Sequence, residues 1–361
     1  AGLKPTFGVS DVSPKMFKSP LNVEWDKVAG TTVSQLSASE TNALTIKAAN
    51  TLMMGIVATD VVPATTNFTR SVYGDLLRSG GYADWSQVDP ALTAPGGPLE
   101  AKPQVVVCRR VPGSGTQTSY NWFFGGFPCT LGAQVGAQHA EPKRMGDSAG
   151  FDIDGDGTPG DQSGAGGVQD GASKATAYAL DVTAGMTVIE NLGSGNVREC
   201  MEKAQNGGVY TFQDETDKWF KVDFGTGGYG AVGVLSVDSL DSRPKSPAAP
   251  DACNATTGQT VCGWSFRNLD GAGTYVDNNP ASGLSIVQAG PGTGIAPSKA
   301  NLTDGKYDFA AELTFQYVTS KLAGSPVTKS FVDELITAIS QPAGNTQAWV
   351  AALPPASLTP N

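Results

Sequence analysis

The chain has 361 residues, of which 16% are charged, and a formal net charge of −10 at pH 7. This length exceeds that of one typical domain and favours two lobes. The net negative charge argues against nucleic acid as a partner, because phosphate backbones require clustered Lys and Arg. No apolar run approaches the roughly 20 residues that cross a bilayer, so the sequence predicts no membrane span.

The N-terminal part contains two predicted strands. Residues 1–12 are expected to form a strand that ends at Ser10 and Asp11. The following segment is irregular apart from one helix predicted near residues 40–49. Residues 53–62 form a strongly apolar run with little alternation, which predicts a strand buried on both faces.

Residues 69–78 are predicted to form a helix that ends at the glycine pair at 80–81. Trp85 is expected to pack in the core. Residues 105–124 read VVVCRRVPGSGTQTSYNWFF, which predicts a buried strand, a tight turn and a helix. The start of such a helix presents unpaired N–H groups and a partial positive charge, so it suits an anion.

Five residues around this turn are candidate anion ligands. Gly113 and Gly115 let the backbone approach a ligand closely, and Ser114 and Thr116 add hydroxyl groups. Arg110 adds a fixed positive charge with fork geometry. The alternative is an ordinary strand–turn–helix with a Ser or Thr cap.

Residues 125–187 form a predicted glycine-rich insertion that contains the segment FDIDGDGTPGDQ. Its D-x-D-x-D-G pattern matches the start of a calcium loop, in which alternating carboxylates converge on one cation. The twelfth loop position, which is Glu in an EF-hand, is Ser163 here. We therefore predict a Ca²⁺ site that holds the loop rigid, with a solvated acidic turn as the alternative. The candidate ligands are Asp152, Asp154, Asp156 and Asp161.

The C-terminal half adds helices and strands of both lobes. Ser194 or Asn196 is the expected cap of the first of these helices. The predicted elements are helix 197–205, strands 228–236 and 307–317, and helix 327–339. The last helix carries an apolar stripe that is expected to face a core, formed by Phe331, Leu335, Ile336 and Ile339.

The five cysteines fit an oxidising compartment, either periplasmic or extracellular. Cys253 and Cys262 bracket a short polar loop and are the first candidates for a disulfide. Cys129 and Cys200 form a second candidate pair. Cys108 lies within a hydrophobic strand and is expected to be a buried free thiol.

A single histidine, His139, is expected on a surface loop. A Ser-His-Asp centre or a His-rich metal centre is therefore disfavoured, and so is a hydrolase such as a phosphatase. We predict that the chain is not an enzyme and that it holds no organic cofactor.

Five motifs occur in a fixed order along the chain. They are FGVSD at 7–11, TRSVYGDLLRSGGYADW at 69–85, RRVPGSGT at 109–116, a Gly-Asn-Val helix and glycine-rich strand within 193–233, and ALPP at 352–355. Their order resembles that of the phosphate-binding proteins of bacterial ABC transporters, which have the type II periplasmic-binding fold. The resemblance covers most of the chain.

This resemblance implies an α/β fold of two lobes, with mixed sheets flanked by helices and a long Gly-rich insertion. Lobe I would comprise residues 1–54 and 265–361, and lobe II residues 55–264. The lobes would close about a hinge near 53–62 and 233–238.

The resemblance also implies that Ser10 and Asp11 join the site, where Asp11 would accept a hydrogen bond from a protonated anion. Asp11 has an alternative role as the N-cap of a helix near Pro14. Two departures from the family stand out. The family has a longer N-terminal segment, with its first strand, before FGVSD, whereas six residues precede it here, so we expect either that the chain is a fragment or that another polypeptide supplies this part. In addition, Pro112 replaces an Asp that accepts a proton from phosphate.

Two functions follow as hypotheses. The first is binding of phosphate or a similar oxyanion between the lobes, in partnership with an ABC transporter permease. The second is an extracellular structural or assembly subunit, of filament or surface-layer type, in which identical subunits complete an exposed sheet edge.

Overall fold

The computed structural model describes residues 6–19, 21–76, 82–129, 171–240, 263–270, 274–277, 286–289, 294–340 and 350–352. Within these ranges the chain forms fifteen strands and seven α-helices. The strands are β1 Gly8–Ser10, β2 Trp25–Asp26, β3 Thr31–Thr32, β4 Leu44–Thr59, β5 Val106–Arg110, β6 Tyr178–Leu180, β7 Thr187–Asn191, β8 Val209–Gln213, β9 Trp219–Asp223, β10 Ala231–Ser236, β11 Trp264–Arg267, β12 Thr274–Asp277, β13 Ile286–Ala289, β14 Ala310–Val318 and β15 Val350–Ala352. The helices are α1 Ala38–Asn42, α2 Arg70–Leu76, α3 Gly115–Phe123, α4 Ser194–Asn206, α5 Lys299–Thr303, α6 Thr319–Ala323 and α7 Pro326–Ser340.

The 16-residue strand β4 joins two groups of strands. Its first part pairs antiparallel with β14, from Leu44 opposite Val318 to Met53 opposite Ala310. Its last part pairs antiparallel with β10 on one side and with β11 on the other. The resulting sheet has the order β13-β12-β11-β4-β10-β5-β7, and β1, β14 and β15 join it through the first part of β4.

The sheet is mixed and carries helices against it. β5 is parallel to both β10 and β7, whereas β10 and β4 are antiparallel. Helices α3 and α4 contact β5 and β10, and α7 contacts β4. The predicted fold class, an α/β protein with mixed sheets flanked by helices, is confirmed. The division into two lobes stays a prediction.

The main core lies around β4, β5 and β10. Met53, Val107 and Val232 are fully buried there. Trp85 is fully buried as well, and its Nε1 donates a hydrogen bond of 2.9 Å to the carbonyl of Gly230. The prediction that Trp85 is a packing residue is confirmed.

The helix predicted near residues 40–49 is wrong. α1 ends at Asn42, and the chain enters β4 at Leu44. The sequence from 44 to 49 is moderately favourable for a helix, but β14 offers this segment a complete antiparallel partner. Pairing with a distant strand therefore overrides local propensity.

A smaller core lies under α7. Val332 and Ile336 are buried in it, whereas 59% of Phe331 is exposed. The helix is confirmed, but the expected inward position of Phe331 is wrong. The buried face is centred on Val332 and Ile336, which are four residues apart and therefore lie on the same side of the helix.

The remaining predicted helices and strands of the described ranges are present with shifted ends. α4 begins one residue after Gly193, which is its N-cap, so neither Ser194 nor Asn196 caps it. In the described ranges, no helix combines the length and apolarity that crossing a membrane demands.

Candidate anion site

The carboxyl ends of β5 and β7 lie side by side. The two strands are parallel, and Arg110 at the end of β5 is opposite Asn191 at the end of β7. A short turn follows each strand, after which α3 begins at Gly115 and α4 at Ser194. Two helix N-termini therefore lie at one edge of the sheet, which is where parallel α/β sheets bind ligands.

Arg110 connects these two turns. Its Nη1 donates to Ser194 Oγ at 2.9 Å, and its Nη2 donates to the carbonyl of Leu192 at 3.0 Å. Burial lowers the pKa of Arg110, and the negative charge of Asp11 opposes that shift. Its Nε is buried and has no hydrogen-bond partner among the described residues. The guanidinium, which stays protonated, thus places a positive charge at the start of α4.

Asp11 lies against the first residue of α3. A Cβ built on Gly115 would be 2.7 Å from Asp11 Cβ and 3.2 Å from Asp11 Oδ2. The close approach requires glycine at position 115, as predicted for a turn that faces another group. Asp11 is not the cap of the short 3₁₀ helix Pro14–Met16, because Ser13 has that role. Ser10 Oγ accepts a hydrogen bond of 3.4 Å from the backbone N–H of Val12.

The Pro-Gly-Ser-Gly turn is covered on one side by the chain at Glu24. Gly113 has a φ of +79°, and a Cβ built on it would lie 2.9 Å from Glu24 Cβ and 3.2 Å from Glu24 N. Both the left-handed backbone and this contact demand glycine at 113. No sequence signal marks Glu24 as a neighbour of the turn.

Ser114 is the N-cap residue of α3, but its side chain makes no capping hydrogen bond. The residue is 8% exposed, and its Oγ has no hydrogen-bond partner in the part of the chain that the structure describes. Thr116, the next hydroxyl residue, is also buried. The Ser or Thr cap that the alternative interpretation expected is therefore not formed by Ser114.

A chain of buried amides ties α3 to the N-terminal segment. Arg110 N donates to Gln117 Oε1 at 3.3 Å, and Gln117 Nε2 donates to Asn121 Oδ1 at 3.0 Å. Asn121 Nδ2 donates to Asn22 Oδ1 at 2.8 Å, and Asn22 Nδ2 donates to the carbonyl of Met16 at 3.0 Å. Sequence reasoning missed these residues, because isolated Asn and Gln give no pattern that indicates partners.

A group of carboxylates lies around Glu215, in the turn between β8 and β9. Burial raises the pKa of Glu215 to about 7, with repulsion by Glu190 as the next cause, while Arg109 opposes the shift. Glu24 and Asp214 add further repulsion. The segment that covers the turn is thus electrostatically linked to the turn between β8 and β9.

The disulfide predictions need correction. Cys108 on β5 and Cys200 on α4 form a disulfide with 6.1 Å between their Cα atoms. Cys108 is therefore not a free thiol, and the pairing of Cys129 with Cys200 is wrong, because Cys129 is free and exposed. Packing of α4 on β5 brings the two bonded residues together. Cys253 and Cys262 lie outside the described residues.

The structure thus brings Ser10, Asp11, Arg110 and the turn up to Thr116 to one sheet edge. It also adds Ser194 and Leu192, which the sequence did not indicate as site residues. The candidate calcium ligands Asp152, Asp154, Asp156 and Asp161 lie outside the described residues, as does His139. In the described ranges, no three His, Cys, Asp or Glu side chains are grouped to hold a metal ion.

No protein-family model matches this chain, and no curated protein matches it. Among solved structures, it is similar to a Clostridium perfringens protein assigned as a phosphate ABC transporter substrate-binding protein with bound phosphate. The two sequences are 13% identical, and the match covers 94% of this chain and 74% of the other, with a TM-score of 0.42. An ABC-type phosphate transport receptor from Vibrio cholerae is 16% identical over 85% of this chain and 71% of the other, with a TM-score of 0.35.

Proposed function

We propose that the chain binds a small phosphate-like oxyanion at the edge formed by β5, β7 and the starts of α3 and α4. The observation that carries this proposal is the buried Oγ of Ser114, which has no hydrogen-bond partner among the described residues. A buried hydroxyl without a partner costs free energy. An anion at the start of α3 would accept its hydrogen bond and those of the first backbone N–H groups.

The charges at this edge fit an oxyanion that carries a proton. Arg110 supplies a positive charge and the unpartnered Nε–H. Asp11, held against Gly115, supplies an acceptor for a protonated oxygen. Hydrogen phosphate can both accept from Arg110 and donate to Asp11, whereas sulfate at neutral pH cannot donate. Pro112 provides no second acceptor, so discrimination would depend on Asp11 alone.

The proposed role is that of an extracytoplasmic solute-binding protein that delivers the anion to an ABC transporter permease. The buried disulfide between Cys108 and Cys200 supports an oxidising compartment, periplasmic or extracellular. Lobe closure would occur where β4 and β10 pair, between Met54 opposite Ser236 and Ala58 opposite Val232. Any bound Ca²⁺ would have a structural role in the insertion.

Isothermal titration calorimetry with sodium phosphate tests the proposal. We expect micromolar or tighter binding by the folded full-length protein. Ser114→Ala should weaken binding by about tenfold to a hundredfold, because it removes one hydrogen bond to a charged ligand. Ser330→Ala, on the exposed face of α7, is the matched control and should bind as the unmodified chain does.

Melting temperatures of both variants distinguish loss of binding from loss of folding. Ser114→Ala should fold normally, because its hydroxyl has no partner in the described part of the protein. The proposal fails if the folded protein gives no heat with phosphate, or if Ser114→Ala and Ser330→Ala bind phosphate equally well.

A second candidate function is assembly with identical subunits. In the described residues, β1 pairs only with β14, and Val9 on β1 is 51% exposed. An open strand edge with an apolar side chain is a site where another chain can add a strand. Light scattering and electron microscopy at high protein concentration test this function, and monomers alone would exclude it.

A further inference from the structure

Arg267, the last residue of β11, is a buried arginine far from the edge described above. It is 2% exposed, and β4 and β10 lie between its strand and β5. Its Nη2 donates to the carbonyls of Thr59 at 2.9 Å and Val62 at 2.7 Å. These two bonds hold the guanidinium against the turn that follows β4.

The other nitrogen atoms of this guanidinium lack acceptors. Nε and Nη1 of Arg267 are buried without a hydrogen-bond partner among the described residues. Thr66 ends the turn that begins at Pro63 and is 3% exposed. Its Oγ1 is also buried without a hydrogen-bond partner among the described residues. Buried N–H and O–H groups of this kind are rare in folded proteins, and each one needs an acceptor.

The charge of Arg267 is also poorly compensated. The other deeply buried arginine, Arg109, has Glu190 at 2.7 Å, but no carboxylate within the described ranges forms an ion pair with Arg267. Burial lowers the pKa of Arg267, and Asp60 opposes that shift only through longer-range attraction. An isolated charge in an apolar interior is costly, and a guanidinium cannot release its proton.

We propose that Arg267 holds a small inorganic anion, a halide such as chloride, in the interior beside the turn that follows β4. A halide accepts several hydrogen bonds and also neutralises the guanidinium. Water would accept hydrogen bonds but leave the charge uncompensated. Among inorganic anions a monatomic halide needs the least space, which suits a guanidinium on a residue that is only 2% exposed.

The test is crystallography of protein expressed and purified in buffers whose only halide is bromide. We expect an anomalous bromine peak within hydrogen-bonding distance of Arg267 Nε or Nη1. A water molecule there, or no peak, overturns the proposal.

A stability measurement adds a variant test in solution. At constant ionic strength, replacement of gluconate by chloride should raise the melting temperature of the unmodified chain by a few degrees. The chloride effect should be reduced in Thr66→Val and lost in Arg267→Gln. Arg70→Gln, which changes a partly exposed arginine, is the matched control and should retain the effect. If Thr66→Val and Arg267→Gln both retain the full chloride effect, the anion lies elsewhere and the proposal is wrong.

Discussion

Arg109 and Glu190 face each other across the parallel strands β5 and β7 and form a buried ion pair, with 2.7 Å between Nη2 and Oε1. Their side chains are 6% and 2% exposed. Because successive side chains of a strand alternate between faces, this pair lies on the face of the sheet opposite to Arg110. The pair therefore anchors the two strands that carry the candidate anion site.

We predict that Glu190→Ala destabilises the protein by about 3–5 kcal/mol, because it removes the carboxylate that pairs with the buried guanidinium of Arg109 at 2.7 Å. The double variant Arg109→Met/Glu190→Leu should lose much less, since it removes both charges and keeps apolar volume. Urea unfolding followed by circular dichroism measures both values. Equal destabilisation by the single and double variants would contradict this account.

The Cys108–Cys200 disulfide closes a segment of the chain over a sequence separation of 92 residues. Removing it with Cys108→Ala/Cys200→Ala should cost about 2–5 kcal/mol, because the unfolded chain gains freedom. Cys129→Ser changes an exposed free thiol and should stay within about 0.5 kcal/mol of the unmodified chain. Chemical denaturation without reductant measures the free energy of unfolding of both variants. Equal stability of the double variant and Cys129→Ser would exclude a stabilising disulfide.

The strand–turn–helix around Ser114 could be predicted, because the β-branched run and the glycine turn are local signals. The partner of Cys108 could not. It depends on where α4 packs against β5, and no local pattern of residues encodes that placement. The same limit applies to residues 44–49, whose conformation is decided by pairing with β14.

The candidate site was predictable only in part for the same reason. The sequence indicates Arg110, Ser114 and Gly115 as ligands, because they occur within one turn. Glu24 and Ser194 come from distant segments, and only the fold brings them to that turn. The sequence also did not decide which side of α7 is buried. Phe331 and Val332 are both apolar, and only packing determines which of them is buried.

Replacement of Gly230 by alanine and replacement of Gly74 by alanine are expected to have opposite effects on stability. A Cβ on Gly230 would lie 2.2 Å from Nε1 of the buried Trp85, whereas the nearest atom to a Cβ on Gly74 is the carbonyl oxygen of Phe124 at 3.6 Å. We predict that Gly230→Ala destabilises the protein by about 1–3 kcal/mol through overpacking. Gly74→Ala, within α2, should be neutral or stabilise it by up to about 1 kcal/mol.

Thermal and urea unfolding of the two alanine variants measure this difference. Tryptophan fluorescence adds a local readout, because Gly230→Ala should disturb the environment of Trp85 while Gly74→Ala should not. If Gly230→Ala is as stable as Gly74→Ala, then the contact between Gly230 and the indole is not close in solution.

Glu215 gives a prediction of pH dependence. Its pKa is raised from 4.5 to about 7 by burial first and then by repulsion from Glu190, with smaller repulsion from Asp214 and Glu24, while Arg109 opposes the shift. A carboxyl group with a raised pKa binds its proton more tightly in the folded state. Its contribution to stability is therefore fully present below about pH 4.5 and is lost as the pH rises through about 7.

We predict that Glu215→Gln removes this loss of stability at higher pH. The variant should match the unmodified chain near pH 4.5 and exceed it in stability above pH 7, with the difference growing across that interval. Glu334→Gln, which makes the same change on the exposed face of α7, is the matched control. The free energy of unfolding, measured in urea across this pH range, decides the question. A stability difference for Glu215→Gln that does not change with pH would show that Glu215 does not titrate between these values in the folded protein, and that its carboxylate is better solvated than its burial implies.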